Sequence, residues 1–265
     1  FQSIVKSKLT VFINVSGLII SSIIKIALIL FEAPLLAFVL VVVFDSLYLA
    51  AGLILLYSKG KKSVLGWKFS KSLAISLLKD SWPLILSGII VSIYMKVDQV
   101  MIKEFMDNNA VGLYAAAARL SEAWYFIPTV ISASLYPAIV NAKKRDENLY
   151  YKRLQRLYDL MVIMSFSIAL PMTFLSDWLV ELLYGKEFMY SGKVLSVHIW
   201  AGIFVFLGVS RGGWIVTENL QKYTAVYLGI GMIANIILNV LLIPDMGILG
   251  AAYATLFSQM ISVLI

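Results

Sequence analysis

Hydrophobic residues in this chain come in long unbroken runs separated by short polar links. The runs are roughly 17 to 29 residues long, and about 20 apolar residues cross a bilayer as a helix, whereas a membrane barrel strand reads as about ten alternating ones. The pattern predicts an all-α, polytopic transmembrane helix bundle of about eight spans. They lie near Val11–Phe31, Leu35–Tyr57, Pro83–Ile102, Val111–Ile139, Leu157–Leu175, Val194–Val209, Tyr223–Ile243 and from Ile248 onward. The fourth span carries Pro128 and Pro137 and is expected to kink.

The links have their own patterns. Glu32–Pro34 is a tight turn, because proline does not continue helical bonding without penalty. Ser58–Lys71 is a basic loop, and Ser72–Asp80 an amphipathic segment expected to lie in the interface ahead of Trp82 and Pro83. Asn141–Arg156 is a second basic loop. Ser176–Gly192 contains WLVELLYGKEF, which reads as an interfacial half-helix. Arg211–Gln221 is a polar link, and Pro244–Gly247 a tight turn.

Composition agrees with the pattern. Hydrophobic residues make up 61% of the 265 and charged residues 14%, against about 25% charged in soluble domains. Mean hydropathy is +0.89. The net charge of +7 does not point to nucleic acid, because the basic residues sit between spans. If the first span enters from the cytoplasm, Lys103, Lys186 and Lys193 fall outside and Lys25, Lys96 and Arg119 fall within spans. The remaining 16 of the 22 basic residues are cytoplasmic, as the positive-inside bias requires. Phe1 in place of an initiator methionine, and an apolar run that stops at Ile265, lead us to expect part of a longer protein.

The candidate chemistry lies in charges inside the spans. Such charges are costly and usually face a cavity or a partner. In the stated topology Lys25, Lys96 and Arg119 all fall in the outer half. Arg119 and Glu122 are three apart and share a helix face, whereas Lys96 and Asp98 are two apart and do not. Pairing between helices, or snorkelling to the headgroups, accounts for these residues structurally. The functional reading is a cationic cavity for an anionic group, with Arg119, Lys96 and Lys25 as substrate-binding cations. Asp98, Glu122 and Asp45 are then supporting or ion-coupling groups. Trp124 and Tyr125 either stack on sugar rings or pack against helices. Without cysteine, and with His198 as the single histidine, no metal site is expected. No phosphate loop or catalytic set is present, so no cofactor is expected and the chain does not read as an enzyme.

The run WPLILSGIIVSIYMKVDQVMI, followed by VGLYAAAARLSEAWYFIPTVISASLYPAI, resembles the Wzx-type O-antigen and capsule flippases of the multidrug/oligosaccharidyl-lipid/polysaccharide (MOP) exporter superfamily. The stretch from Asn235 to Pro244 and GILGAAYAT fit the same pattern. The resemblance implies a MATE-like fold of two six-helix lobes. Residues 1–57 would be the last two helices of the N-terminal lobe, 58–81 a cytoplasmic basic loop with an interfacial segment, and 82–265 the C-terminal lobe. It implies alternating-access flipping of an undecaprenyl-pyrophosphate-linked oligosaccharide to the outer leaflet of the bacterial inner membrane. The implied partners are this polyprenyl pyrophosphate lipid, the membrane lipids and glycan polymerase machinery. Alternative readings are a cation-coupled multidrug exporter or lipid II flippase of the same superfamily, and a non-transport membrane scaffold or enzyme. A drug exporter calls for acidic cavity residues to outweigh basic ones, and an enzyme for carboxylate or histidine clusters at the membrane edge.

Overall fold

The computed structural model describes residues 7–59, 69–143 and 145–265, which form ten α-helices with no strand among them. Lys6, Lys144 and the Lys61, Lys62 and Lys68 of the first basic loop lie outside the described residues. The chain divides into two compact units, Phe1–Ile75 and Ser76–Ile265.

The first unit holds α1 (Ser7–Leu30) and α2 (Leu35–Lys59) as an antiparallel hairpin. The turn expected at Glu32–Pro34 is present, with Glu32 at φ +50°. Gly17 lets the Tyr48 ring approach, and the Tyr48 hydroxyl bonds Ser16 at 3.0 Å. Phe12 is 72% exposed and Leu36 68%, an outward apolar surface of the kind that lipid covers.

The second unit contains most of α3 (Lys71–Phe105), then α4 (Asn108–Glu122), α5 (Phe126–Lys143), α6 (Glu147–Tyr184), α7 (Met189–His198), α8 (Ala201–Thr217), α9 (Thr224–Met246) and α10 (Ile248–Leu264). Asp107 ends the α3–α4 link as the N-cap of α4, accepting from the Ala110 amide at 2.8 Å. Asp146 caps α6 in the same manner. These carboxylates satisfy amides that the first helical turn leaves open.

Several boundaries depart from the hydrophobic pattern. The segment Ser72–Asp80 is not a separate interfacial helix, because α3 runs unbroken through it. The half-helix expected after Ser176 is the last part of α6, which continues to Tyr184 and stops at Gly185, φ +85°. Helix α8 likewise extends past Arg211 to Thr217. The Arg211 guanidinium donates to the Val263 carbonyl at 2.7 Å and lies over the Tyr227 ring, so its charge is compatible with a continuing helix. Pro244 lies inside α9, and the turn reduces to Gly247.

Six helical stretches are long and apolar enough to cross a membrane, and the bent pair Lys186–His198 and Ala201–Thr217 makes a seventh if counted as one span. Helix α10 is apolar and 17 residues long. Each of the eight expected segments is thus helical, and the chain is a multi-span membrane protein. The fourth span breaks at the 3-10 turn Ala123–Tyr125. Pro128 follows in the first turn of α5, where its ring crowds the carbonyl four residues back. The α7–α8 pair bends by 47° around Ile199 and Trp200. The two breaks abut: Ser121 donates to the His198 carbonyl, and Tyr125 lies beside Gly202.

The unit has two apolar cores. One joins Ile102, Tyr114, Ala117, Leu195, Ile243 and Ala251, and the other joins Ile139, Tyr150, Leu157, Met161 and Phe206. Polar side chains share the interior with these cores, and large apolar ones face outward. Ser121, Ser191, Asn235, Asn239 and Ser258 are fully buried while Phe174 is 80% exposed. Small residues let the helices approach. A Cβ at Gly250 would stand 2.2 Å from the Leu242 carbonyl oxygen, and Gly247 takes φ +60° at the turn between α9 and α10.

Gly250→Val should therefore push α10 off α9 and destabilise the protein by roughly 1–3 kcal/mol or more, read as a lower thermal midpoint in detergent by fluorescence-detected size exclusion. A second expectation concerns Glu218, just past α8. It accepts from Lys143 at 2.7 Å and from the Tyr150 hydroxyl at 2.9 Å. The Lys143 hydrogen bond, aided by Tyr150, holds its carboxyl below the usual carboxylate range. The folded protein then binds this proton less readily than the unfolded chain. The contribution is complete above the usual range and is lost as pH falls through the lowered folded value. Glu218→Gln should lower stability near neutral pH by about 1 kcal/mol or less and flatten the acid limb of the stability–pH profile.

Candidate functional site

The second unit centres on a buried carboxylate. Asp98, on α3, is 5% exposed. Its Oδ2 accepts from the Tyr114 hydroxyl of α4 at 2.7 Å and from the Thr255 hydroxyl of α10 at 2.5 Å. Its Oδ1 accepts from Asn239 Nδ2 of α9 at 2.6 Å. Asn239 also donates to Asn235 Oδ1 at 3.0 Å, and Ser258 links Asn235 to the Tyr94 hydroxyl. One carboxylate thus holds side chains from three other helices. Among the described residues, no cation lies within 4 Å of it.

Beside this network is a cavity of about 20 Å³, room for about one water-sized species. Asp98, Tyr114, Thr255, Glu122, Tyr125 and His198 are among its lining residues. His198 is buried, meets Tyr114 edge-on at 5.9 Å between centroids, and leaves Nδ1 without a partner.

The residues expected from sequence separate clearly. Lys96 and Asp98 point different ways, as their spacing requires: Asp98 is buried and Lys96 is exposed. Lys96 stands on an open apolar face of α3, with Ile85, Ile89, Ile93, Val97 and Val100. Arg119 is exposed in the last turn of α4, where the helix dipole favours a cation. Glu122 lies near enough to Lys96 and Arg119 for both charges to act on it. Neither cation forms an ion pair within 4 Å among the described residues. Tyr125 lines the cavity, whereas Trp124 packs half-buried against the first core.

Lys25 and Asp45 belong to the first unit. They pair across α1 and α2 at 3.7 Å, beside a cavity of about 430 Å³ that also takes in Asn14, Ser21 and Tyr48. Asp45 Oδ1 is buried without a hydrogen-bond partner.

Tyr114, Asn235, Asn239 and Thr255 were not singled out as site residues from sequence. The available signal is two asparagines one helical turn apart inside an apolar run, with Thr255 and Ser258 on one face of the next helix.

Comparison with known proteins fits this geometry. Residues 1–192, well over half of the chain, match the family described as polysaccharide biosynthesis protein. A Haloferax volcanii protein named as a probable flippase, AglR, is 30% identical over 177 residues, covering 63% of this chain and 36% of that protein. Another Haloferax volcanii protein, named as a probable low-salt glycan biosynthesis flippase, is 25% identical, covering 62% of this chain and 35% of its own length. The chain therefore spans little more than a third of either relative. Among solved structures, a multidrug resistance MATE family transporter of the MOP superfamily, in an outward-facing conformation, aligns with a TM-score of 0.59 at 20% identity. That alignment covers 69% of this chain and 42% of the transporter. This multi-span helical chain, with the fold of the MATE-like MOP transporters, belongs to the polysaccharide biosynthesis protein family.

Proposed function

We propose that this chain is part of a transporter that flips a lipid-linked oligosaccharide across the membrane, the carrier being undecaprenyl pyrophosphate, and that it is not an enzyme. The observation that carries the reading is Lys96. It is exposed on an apolar face of a membrane helix, with no ion pair among the described residues. A cation there stabilises an anionic group that hydrocarbon alone would exclude. Arg119 is a second exposed cation in the same unit, with no ion pair among the described residues, and Glu122 senses both. A pyrophosphate between isoprenoid tail and sugar suits such a surface: its charge meets Lys96 and Arg119 while its tail lies along the isoleucines. The family match and the relatives' names support the glycan class of the substrate.

Charge, more than shape, should matter at these positions, because ammonium and guanidinium both neutralise a pyrophosphate. In cells carrying the intact transporter, Lys96→Arg should retain most surface glycan at matched protein level, and Lys96→Gln should lose most of it. Equal, full transport by both would remove Lys96 from substrate binding. Arg119→Ala should insert normally and lower lipid-linked sugar in the outer leaflet several-fold, measured per transporter. Normal surface glycan in that variant would reject its role.

A further inference from the structure

We propose that the cleft between the end of α8 and the start of α9 binds the phosphate of an anionic membrane phospholipid, with Arg211 as its ligand. The starting point is a charge in apolar surroundings. Arg211 stands inside α8, and a guanidinium does not give up its proton. One of its N–H groups donates to the Val263 carbonyl at 2.7 Å, and its central carbon lies 3.9 Å from the Tyr227 ring centre. These contacts fix the group in place, and several N–H donors remain to it. No carboxylate lies within 4 Å of it among the described residues. A cation at membrane depth calls for an anion.

The cleft beside Arg211 suits a lipid headgroup. It has a volume of about 290 Å³, and Trp214, Ile215, Tyr223, Val226 and Tyr227 line it with Arg211. Tryptophan and tyrosine favour the headgroup level of a membrane. Lys222, exposed and 5.0 Å from the Tyr223 ring centre, adds a second cation. Lys143, bonded to Glu218 just past α8, marks the same end of the unit. The positive-inside bias assigns this end to the cytoplasm, where the leaflet carries negative charge and basic pockets between spans take headgroups. A track for an acyl chain leads away from the cleft: Val226, Ile230, Ile233 and Ile237 share one face of α9, and all four are exposed. One guanidinium balances one phosphate diester, which fits a resident phospholipid better than a more highly charged pyrophosphate. The site contains neither Lys96 nor Arg119.

The test uses the intact protein purified in neutral detergent. Phosphatidylglycerol should raise the thermal midpoint saturably, phosphatidylcholine much less and inorganic phosphate not at all. Arg211→Gln should require about ten-fold more phosphatidylglycerol for the same rise, as loss of a charge-assisted contact implies. Because that variant also loses the bond to Val263, Val226→Glu is an independent arm. It puts a carboxylate into the cleft and into the first turn of α9, where the helix dipole favours an acid. It should match the parent's midpoint without lipid, since it supplies Arg211 with an anion, and should lose the phosphatidylglycerol response. An equal response to phosphatidylcholine or to inorganic phosphate, or a full phosphatidylglycerol response in either variant, would overturn the site. Displacement of phosphatidylglycerol by an equal amount of a polyprenyl phosphate would overturn the choice of occupant. Lys96→Gln should respond to phosphatidylglycerol like the parent, which separates this site from the glycan reading.

Discussion

A carboxylate taken out of water among membrane helices must find donors or a counter-charge. Asp98 is that carboxylate here, and α4, α9 and α10 are arranged around it: Tyr114, Asn239 and Thr255 all reach it within 2.7 Å. The contacts cross the sequence, linking residue 98 to residues 239 and 255. Helix packing alone is weakly directional in an apolar solvent, because lipid tails are as apolar as leucine. The polar network supplies direction, since each helix has one rotation about its axis that satisfies it. Small residues make the approach possible. Ala117, Ala251 and Ala252 are fully buried beside the network, and Gly250 lets α10 close on α9.

The spans were legible because hydrophobic run length alone sets them. The opposite directions of Lys96 and Asp98 were also legible, since two residues on a helix stand about 200° apart. Less legible were the places where a polar residue does not end a helix. Arg211 reads as the start of a link until its bond to the Val263 carbonyl and its stacking on Tyr227 are seen. Lys79 and Asp80 read as an interface, yet α3 continues through them. Hydropathy counts a charge but not its partner, and partners come from helices distant in sequence.

Candidate residues were legible in proportion to their charge. Lys25, Asp45, Lys96, Asp98, Arg119 and Glu122 announce themselves in apolar surroundings, although which of them meet is a matter of packing. Neutral groups do not. Asn235, Asn239 and Thr255 cost little in a hydropathy profile, and nothing in the sequence shows that they reach Asp98. A hydrogen-bonded network of one carboxylate, two amides and a hydroxyl leaves only a faint trace in the sequence, its asparagines at helical spacing marking one face of α9.

The paired breaks at Ala123–Tyr125 and Ile199–Trp200 have a mechanical consequence. They lie side by side, with Ile199 in the first apolar core and Trp124 and Trp200 packed against it, so the second unit has a seam across two of its spans. Helix α5 beyond the seam has 18 residues, a lever of about 27 Å at 1.5 Å per residue. A tilt of roughly 10° at the seam would carry its far end about 5 Å by the same geometry. Because Tyr125 and His198 line the same cavity as Asp98, such a tilt would be felt at the buried carboxylate as well as at the membrane face.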